Sequence, residues 1–253
     1  FGRKPTIIRG LDSGAHAHRR SHRAALPDVG ELKLDRPGAI VTDIEGTTSS
    51  LAFVHDELFP YSRERLATFV RDHQHDAEIA AAIAEIGGSV EDAIATALHW
   101  IDEDRKAGPL KVIQGRIWAQ GYASEQLHGH VYGDAVEALR AWHGAGIPLF
   151  VYSSGSIAAQ RLIFGHSNAG DLTPLFSGYF DTTTGPKTAP ASYVRIAAAV
   201  SLNGRDLLFL SDNVAELDAA QASGWRTVCV QRDRGEDVTR RHVVVRSFAD
   251  IEL

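Results

Sequence analysis

The chain has 253 residues, of which 44% are hydrophobic and 23% are charged, with a formal net charge of -6. This composition is ordinary for a globular protein, and the length allows one large domain or a core domain with a smaller inserted one. The acidic balance argues against nucleic-acid binding, and no apolar run reaches the length of a membrane span. The single cysteine, Cys229, lies in an apolar run. We expect a buried, inert thiol, in a protein of the reducing cytoplasm.

The first 36 residues differ from the rest of the chain. They carry eight Lys and Arg against four Asp and Glu, so their charge is +4 and the remainder carries -10. Hydrophobic periodicity is weak, and the three histidines at 16, 18 and 22 lie in a polar run. A metal site there would need a folded frame around it. The sequence therefore predicts a disordered basic extension over residues 1–36.

The first predicted strand covers residues 39–44 and runs into two carboxylates, Asp43 and Glu45. Side chains alternate along an extended chain, so both carboxylates should point the same way. Two acids placed together disfavour joint ionisation. The pair suits a divalent cation, or chemistry in which one acid attacks and the other carries a proton.

Residues 51–129 have helical patterns and no convincing strand. Ser89 followed by two acids is typical of a helix N-cap, and Pro109 is typical of a first helical turn. Helices are predicted over residues 53–71, 76–86, 89–100 and 109–118. An all-helical segment directly after the first strand indicates an inserted helical cap domain.

From residue 130 the pattern alternates between strands and helices. Predicted strands cover residues 147–152, 178–180, 206–210, 225–231 and 242–246. Predicted helices cover residues 134–142, 156–164, 191–202 and 214–222. Such alternation predicts an α/β core domain, over residues 37–50 and 130–253, with a parallel sheet and helices on both faces. Ligands bind beyond the carboxyl ends of such strands.

Polar residues follow four of these elements, and each set has a use if the ligand is a phosphate ester. The candidates are Asp43 and Glu45, Ser153 and Ser154, Lys187, and Asp212 with Glu216 and Asp218 one turn later. Each set alone is typical of a turn, a helix cap or a solvated surface. Their joint position at strand ends favours a functional site.

The chemistry assigned to each group follows from its type. Asp43 and Asp212 offer the hard oxygen ligands that Mg²⁺ prefers. Asp43 can attack phosphorus in line, and Lys187 can offset the charge on the phosphoryl oxygens. Ser153 and Ser154 precede a helix start and can contact phosphate. Glu45 is placed to protonate the leaving oxygen and then activate water.

Three stretches are similar to those of one family. They are Asp43-Ile44-Glu45-Gly46-Thr47-Thr48 with the residues through 61, the segment Leu110-Lys111-Val112-Ile113-Gln114-Gly115-Arg116-Ile117-Trp118, and Tyr152-Ser153-Ser154-Gly155-Ser156. They resemble the enolase-phosphatase family, or acireductone synthases, of the haloacid dehalogenase-like superfamily. The resemblance begins near residue 39. Glu replaces the Asp that most phosphatases of the superfamily have two positions after the nucleophile.

The resemblance implies a Mg²⁺-dependent enzyme of methionine salvage. It would enolise 2,3-diketo-5-methylthiopentyl 1-phosphate and hydrolyse it, through an aspartyl-phosphate, to the acireductone 1,2-dihydroxy-3-keto-5-methylthiopentene. The implied metal ligands are Asp43, Glu45 and Asp212, and the implied substrate contacts are Ser153, Ser154 and Lys187. The resemblance leaves open whether Glu45 uses its side chain or its carbonyl. It also leaves open the enolisation base and the role of Glu216.

Two other functions are compatible with the same residues. One is a general cap-bearing phosphatase for another small phosphate ester, and the other is a phospho-accepting module in which Asp43 is modified without turnover. The large helical segment favours turnover of a small molecule. Phe53, Tyr61 and Trp118 are candidate walls of the substrate site, although core packing explains each of them. A monomer is the state implied by the family.

Overall fold

The computed structural model describes residues 32–232 and 241–253. The three histidines of the predicted extension lie outside these ranges. Eight strands are found within them: β1 Leu32–Lys33, β2 Ala39–Thr42, β3 Leu149–Tyr152, β4 Gly178–Phe180, β5 Leu207–Ser211, β6 Arg226–Val230, β7 Val243–Val245 and β8 Ile251–Glu252. Eight α-helices accompany them: α1 Phe59–His73, α2 Ala77–Ile86, α3 Val90–Asp102, α4 Gly108–Ala123, α5 Gly133–Gly144, α6 Ile157–Gly165, α7 Pro190–Ala199 and α8 Val214–Ala222.

Six strands form one parallel sheet in the order β4-β3-β2-β5-β6-β7. Side chains of β2 alternate between two apolar clusters, with Ile40 in one and Ala39 and Val41 in the other. Helices α5 and α6 contribute to the first cluster, and α7 and α8 contribute to the second. Both faces of the sheet are therefore covered by helices, which confirms the predicted fold class.

The segment between β2 and α5 is helical throughout its named elements, as predicted. It enters α1 through a π-helical turn, Phe53–Leu58. Helices α1 to α4 enclose a third apolar cluster of their own, built around Leu66, Ile79 and Ile113. The Ser89 hydroxyl and the Asp92 carboxylate form a capping box at the start of α3, which satisfies backbone N–H groups that the helix leaves unpaired. The division at residues 51 and 129 stays a prediction.

A second, smaller sheet is not predicted by the sequence pattern. Strand β1 pairs in parallel with β8, so residues 32–33 lie beside residues 251–252. Residues 32 and 33 therefore belong to the fold, and the predicted extension over residues 1–36 is too long at its end. Two-residue strands are too short to show an alternating pattern. Within the described ranges no helix is long and apolar enough to cross a membrane.

Candidate active site

Three neighbouring strands bring the predicted acids and serines to one edge of the sheet. Strand β2 lies between β3 and β5, and the chain leaves these strands at Asp43, Ser153 and Asp212. A cleft opens at this edge. Its lining residues are Asp43, Glu45, Leu51, Ser154, Lys187, Asp212, Asn213 and Glu216. The parallel sheet thus gathers residues that are up to 173 positions apart in the sequence.

The loop after β2 is folded tightly around one carbonyl. The Ile44 oxygen accepts hydrogen bonds from the N–H groups of Thr47, Thr48 and Ser49, which explains why the strand ends at Thr42 rather than at the predicted residue 44. Gly46 has a φ of +73°, and a Cβ there would overlap the Asp212 carboxylate. Only glycine permits both this conformation and this close approach.

Lys187 is buried between two carboxylates. Its Nζ lies 2.6 Å from Asp43 Oδ1 and 2.7 Å from Glu216 Oε2. Burial alone would lower the pKa of Lys187, but attraction to Asp43 and Glu216, with hydrogen bonds to both, raises it. Lys187 therefore stays charged beside the predicted nucleophile, as a buried cation does when it is paired.

Two tyrosines hold the loop that carries Lys187. The Tyr152 hydroxyl donates to the Gly185 carbonyl at 2.9 Å, and the Tyr193 hydroxyl donates to the Lys187 carbonyl at 2.8 Å. Gly185 has a φ of +143°, and a side chain there would overlap the Ser192 hydroxyl. These buried contacts fix the lysine backbone, so its ammonium reaches Asp43 from beyond β3.

The other carboxylates of the cleft ionise less readily than they would in water. Burial, and then the charge of Asp43, raises the pKa of Asp212 to about 6 and that of Glu216 to about 7. Burial also raises the pKa of Glu45, which the positive charge of Lys106 partly offsets. Four carboxylates thus share one buried lysine, an arrangement that a bound cation would stabilise.

The donors of the cleft suit Mg²⁺. Within the described part of the chain no three His, Cys, Asp or Glu side chains are grouped as a metal site. Mg²⁺ typically takes one or two carboxylates and keeps several waters, and Asp43 and Asp212 provide two. The Asp212 carboxylate lies against Gly46, which directly follows Glu45 in the chain. Glu45 lines the same cleft and is the third predicted ligand.

A hydrogen-bonded chain that the sequence analysis missed supports this loop. The Thr47 hydroxyl accepts from the Asp212 N–H at 3.0 Å, and the Thr47 carbonyl accepts two hydrogen bonds from Arg232, at 3.0 and 2.9 Å. Arg232 also pairs with Asp134 at 2.6 Å. The Asp134 carboxylate accepts further hydrogen bonds from the Ser247 hydroxyl and the Phe248 N–H. The loop after β2 is therefore tied to Asp212 and to the C-terminal part of the core.

A second, largely apolar cavity lies beside the cleft and under the helical segment. Its apolar lining includes Ile44, Val54, Leu58, Phe59, Trp100, Ile101, Leu110, Trp118, Ala159 and Ile163. Glu45 and Ser154 line both spaces. The cavity therefore joins the carboxylate cleft at these two residues.

The predicted substrate-site residues do not all line the same space. Ser154 lines the cleft, whereas Ser153 lines the apolar cavity and its Oγ accepts from the Gly155 N–H. Trp118 lines that cavity, but Phe53 and Tyr61 are not among its lining residues. Cys229 is fully buried, as predicted, and burial raises the pKa of its thiol to about 11.

Glu216 and Asp218 illustrate why spacing matters on a helix. Two residues apart, they lie on different faces of α8. Glu216 pairs with Lys187 in the cleft, whereas Asp218 pairs with Arg241 and His242. The sequence predicts both at the same edge of the sheet, and for Asp218 this prediction is wrong.

Comparison with known proteins finds relatives that match most of the chain. Residues 37–224 match the family model of haloacid dehalogenase-like hydrolases. An enolase-phosphatase E1 of Pseudomonas aeruginosa is 58% identical over 220 residues, which are 84% of this chain and 97% of that protein. The enolase-phosphatase E1 of Azotobacter vinelandii is 55% identical over 85% of this chain and 96% of its own.

A solved structure has a similar fold. The UTR4 protein of Saccharomyces cerevisiae superposes with a TM-score of 0.73 at 31% identity, covering 84% of this chain and 99% of the yeast chain. The resemblance inferred from the sequence is therefore confirmed. The chain is a hydrolase that belongs to the haloacid dehalogenase-like superfamily and, within it, to the enolase-phosphatase E1 family.

Proposed function

We propose that the protein is a Mg²⁺-dependent enolase-phosphatase of methionine salvage. It enolises 2,3-diketo-5-methylthiopentyl 1-phosphate and hydrolyses the enol phosphate to the acireductone and phosphate. The observation that carries this proposal is that a carboxylate cleft and an apolar cavity share Glu45 and Ser154. A phosphate in the cleft would leave the thioether tail in the apolar cavity. The names of the relatives agree with both halves of the reaction.

Asp43 is the proposed nucleophile. Lys187 contacts Oδ1, and Oδ2 forms a bond to phosphorus as the bond from phosphorus to the ester oxygen breaks. Glu45 donates a proton to the departing oxygen and then removes one from the water that hydrolyses the aspartyl-phosphate. Its raised pKa, caused first by burial, suits a carboxyl that must hold a proton in one step and release it in the next.

Asp43 and Asp212 would hold Mg²⁺, with an oxygen of Glu45 as a further ligand. The cation would offset charge on the phosphoryl oxygens. Lys187 would offset the same negative charge on the phosphoryl oxygens. It also holds the Asp43 carboxylate in place. Ser154 and, at the cavity side, Ser153 are the proposed substrate contacts. Glu216 is proposed to position Lys187, because it accepts from the ammonium and from the Ser211 hydroxyl.

The decisive experiment is incubation with the diketo phosphate and Mg²⁺, following the enol absorbance and free phosphate in the same sample. We expect the enol to form before phosphate appears, and the acireductone to accumulate. Phosphate release without an enol or an acireductone would favour the general phosphatase instead. The phospho-accepting module is excluded by membership of the hydrolase family.

Three further features stay predictions. They are the monomeric state, a cytoplasmic location and the boundaries of the helical cap domain at residues 51 and 129. Size-exclusion chromatography with light scattering would test the first. A folded fragment with residues 51–129 replaced by a short linker would test the third.

A further inference from the structure

We propose that Lys111, on the helical segment, is the catalytic cation of the enolisation half-reaction and stabilises the enolate oxygen. This inference rests on the proposed function and names a residue that the phosphoryl-transfer chemistry does not use. Lys111 is on α4 and lines the apolar cavity. Enolisation requires an electrophile close to the oxygen that becomes negative.

The ammonium of Lys111 is fixed at the junction of the two spaces. Its Nζ donates to the Ser154 carbonyl at 3.0 Å and to the Thr182 hydroxyl at 3.2 Å. Ser154 lines the carboxylate cleft as well as the cavity. A phosphate bound at the cleft has its first keto group three bonds from phosphorus. The keto oxygen would therefore lie at the same junction as the lysine.

Lys111 differs from the other lysines near the site in what it contacts. Lys187 is neutralised by Asp43 and Glu216, and Lys106 pairs with Asp104 at 3.4 Å. The Lys111 ammonium donates hydrogen bonds to two neutral oxygens. Among residues 32–232 and 241–253 it forms no ion pair. An ammonium has three N–H donors, so the third remains for a ligand.

Partial burial increases the effect of this charge. Desolvation lowers the pKa of Lys111, and the negative charge of Asp181 partly offsets this. A cation in apolar surroundings gains more from a new negative charge than one in water does. The developing enolate would supply that charge, whereas the neutral diketone does not. Lys111 therefore binds the transition state more tightly than the ground state, as catalysis requires.

The step balances as a tautomerisation. The Glu45 carboxylate, which lines the same cavity, removes one proton from the carbon next to the phosphate ester oxygen. The electron pair of that C–H bond forms the new C=C bond, and the C=O π electrons move to the carbonyl oxygen. An N–H of the Lys111 ammonium donates a hydrogen bond to this oxygen. Return of this proton from Glu45 to the oxygen completes the enol without any oxidant or reductant. Glu45 then takes up a proton from solvent before it protonates the leaving oxygen in phosphoryl transfer.

The test separates enolisation from phosphate hydrolysis. The probe is the phosphonate analogue of the diketo phosphate, whose C–P bond is not hydrolysed, incubated in D₂O with Mg²⁺. Loss of the proton signal at the carbon between the first keto group and the phosphonate arm measures proton removal. Hydrolysis of p-nitrophenyl phosphate, which has no keto group, measures phosphoryl transfer alone.

We expect Lys111→Met to slow the exchange by about 10²-fold and to change p-nitrophenyl phosphate hydrolysis by no more than about threefold. Lys111→Gln can keep hydrogen bonds to Ser154 and Thr182 without the charge, and should slow exchange similarly. Lys111→Arg should restore most of it. The control is Arg116→Met on the same helix, whose guanidinium pairs with Glu78 at the surface, and it should exchange at the wild-type rate.

Two results would overturn the role of Lys111. One is exchange at the wild-type rate in the folded Met and Gln variants. The other is an equal loss of exchange and hydrolysis, because Lys111 would then only hold the Ser154 loop. Failure of the proposed function looks different: the wild-type enzyme would hydrolyse the aryl phosphate and show no exchange on the diketo phosphonate. Thermal unfolding of each variant identifies any that does not fold.

Discussion

The carboxylate cleft and the apolar cavity are neighbours with opposite construction. The cleft is built at the ends of β2 and β5 and in the loop before α7, and its charges are fixed by backbone hydrogen bonds and by Lys187. The cavity is covered largely by the helical segment, and most of its lining surface is apolar. One region therefore holds charges in place, and the other offers shape and low polarity.

This difference indicates how one site can support two reactions. Phosphoryl transfer depends mainly on positioned charge, which the sheet edge provides. Selection of an apolar tail depends on buried area and fit, which the helices provide. Helices α4 and α6 pack against each other across the two parts, so cavity and cleft keep a common boundary. Substitutions in each region should therefore affect different kinetic quantities.

The largest expected effect is at the nucleophile. Asp43→Asn should reduce phosphate release by at least about 10³-fold, because the amide cannot form the acyl phosphate. Phosphate release from both the diketo phosphate and p-nitrophenyl phosphate would be measured, with thermal unfolding as the control for folding. Turnover near the wild-type rate would exclude the aspartyl-phosphate route.

Lys187→Met should lower the free energy of unfolding of the protein. Removal of one partner from a buried ion pair typically costs about 3–5 kcal/mol, and here it leaves Asp43 and Glu216 facing each other. The difference in unfolding free energy between this variant and the wild type should shrink as pH falls from 7.5 to 5.5. Burial and Asp43 raise the pKa of Glu216 to about 7 even though Lys187 lowers it. Without the lysine this pKa should be higher still, so the folded variant gains more stability from protonation than the wild type does.

Denaturant unfolding at the two pH values measures this effect without bound metal. Lys111→Met is the matched comparison, because that lysine has no recorded ion pair among the described residues and its loss leaves no paired carboxylate behind. A deficit for Lys187→Met that stayed constant with pH would mean that packing, and not charge, stabilises this part of the cleft.

Asp134→Asn tests whether the Arg232 chain positions the metal ligand. The charge that holds Arg232 against the Thr47 carbonyl would be lost, and Thr47 in turn holds the Asp212 backbone. We expect Mg²⁺ affinity to fall by about 10- to 100-fold, measured by calorimetric titration. Asp218→Asn is the control, since it also removes an acid paired with a cation but lies outside the cleft lining. Equal affinities in both variants would contradict the positioning role.

The smallest expected effect is on the cavity wall. Val54 is buried and lines the apolar cavity, so Val54→Ala should weaken contact with an apolar tail. We expect kcat/KM for the diketo phosphate to fall by about fivefold, in line with the loss of one or two methylene contacts. The value for p-nitrophenyl phosphate should stay the same. If kcat/KM fell only for the aryl phosphate and stayed unchanged for the diketo phosphate, the apolar tail would not contact Val54.

Local patterns in the sequence were sufficient for much of the fold. The alternation of apolar strands and helices predicted the parallel sheet, and the acids after residue 42 predicted the cleft, because both depend on near neighbours in the chain. Boundaries were less accurate where tertiary contacts decide them. Strand β2 ends early because the Ile44 carbonyl accepts three loop N–H groups, and β1 exists only because β8 lies beside it.

The sequence by itself determined the chemical groups: a nucleophilic carboxylate with a second acid two positions on, a lysine after β4, and an acid after β5. Only the tertiary structure decided which of these touch. Lys187 reaches Asp43 across 144 positions, Arg232 joins Thr47 to Asp134, and Lys111 meets Ser154 at the junction of cleft and cavity. Such contacts form between segments remote in the chain, so no local periodicity records them. They depend on strand order and on the packing of the helical segment over the sheet edge.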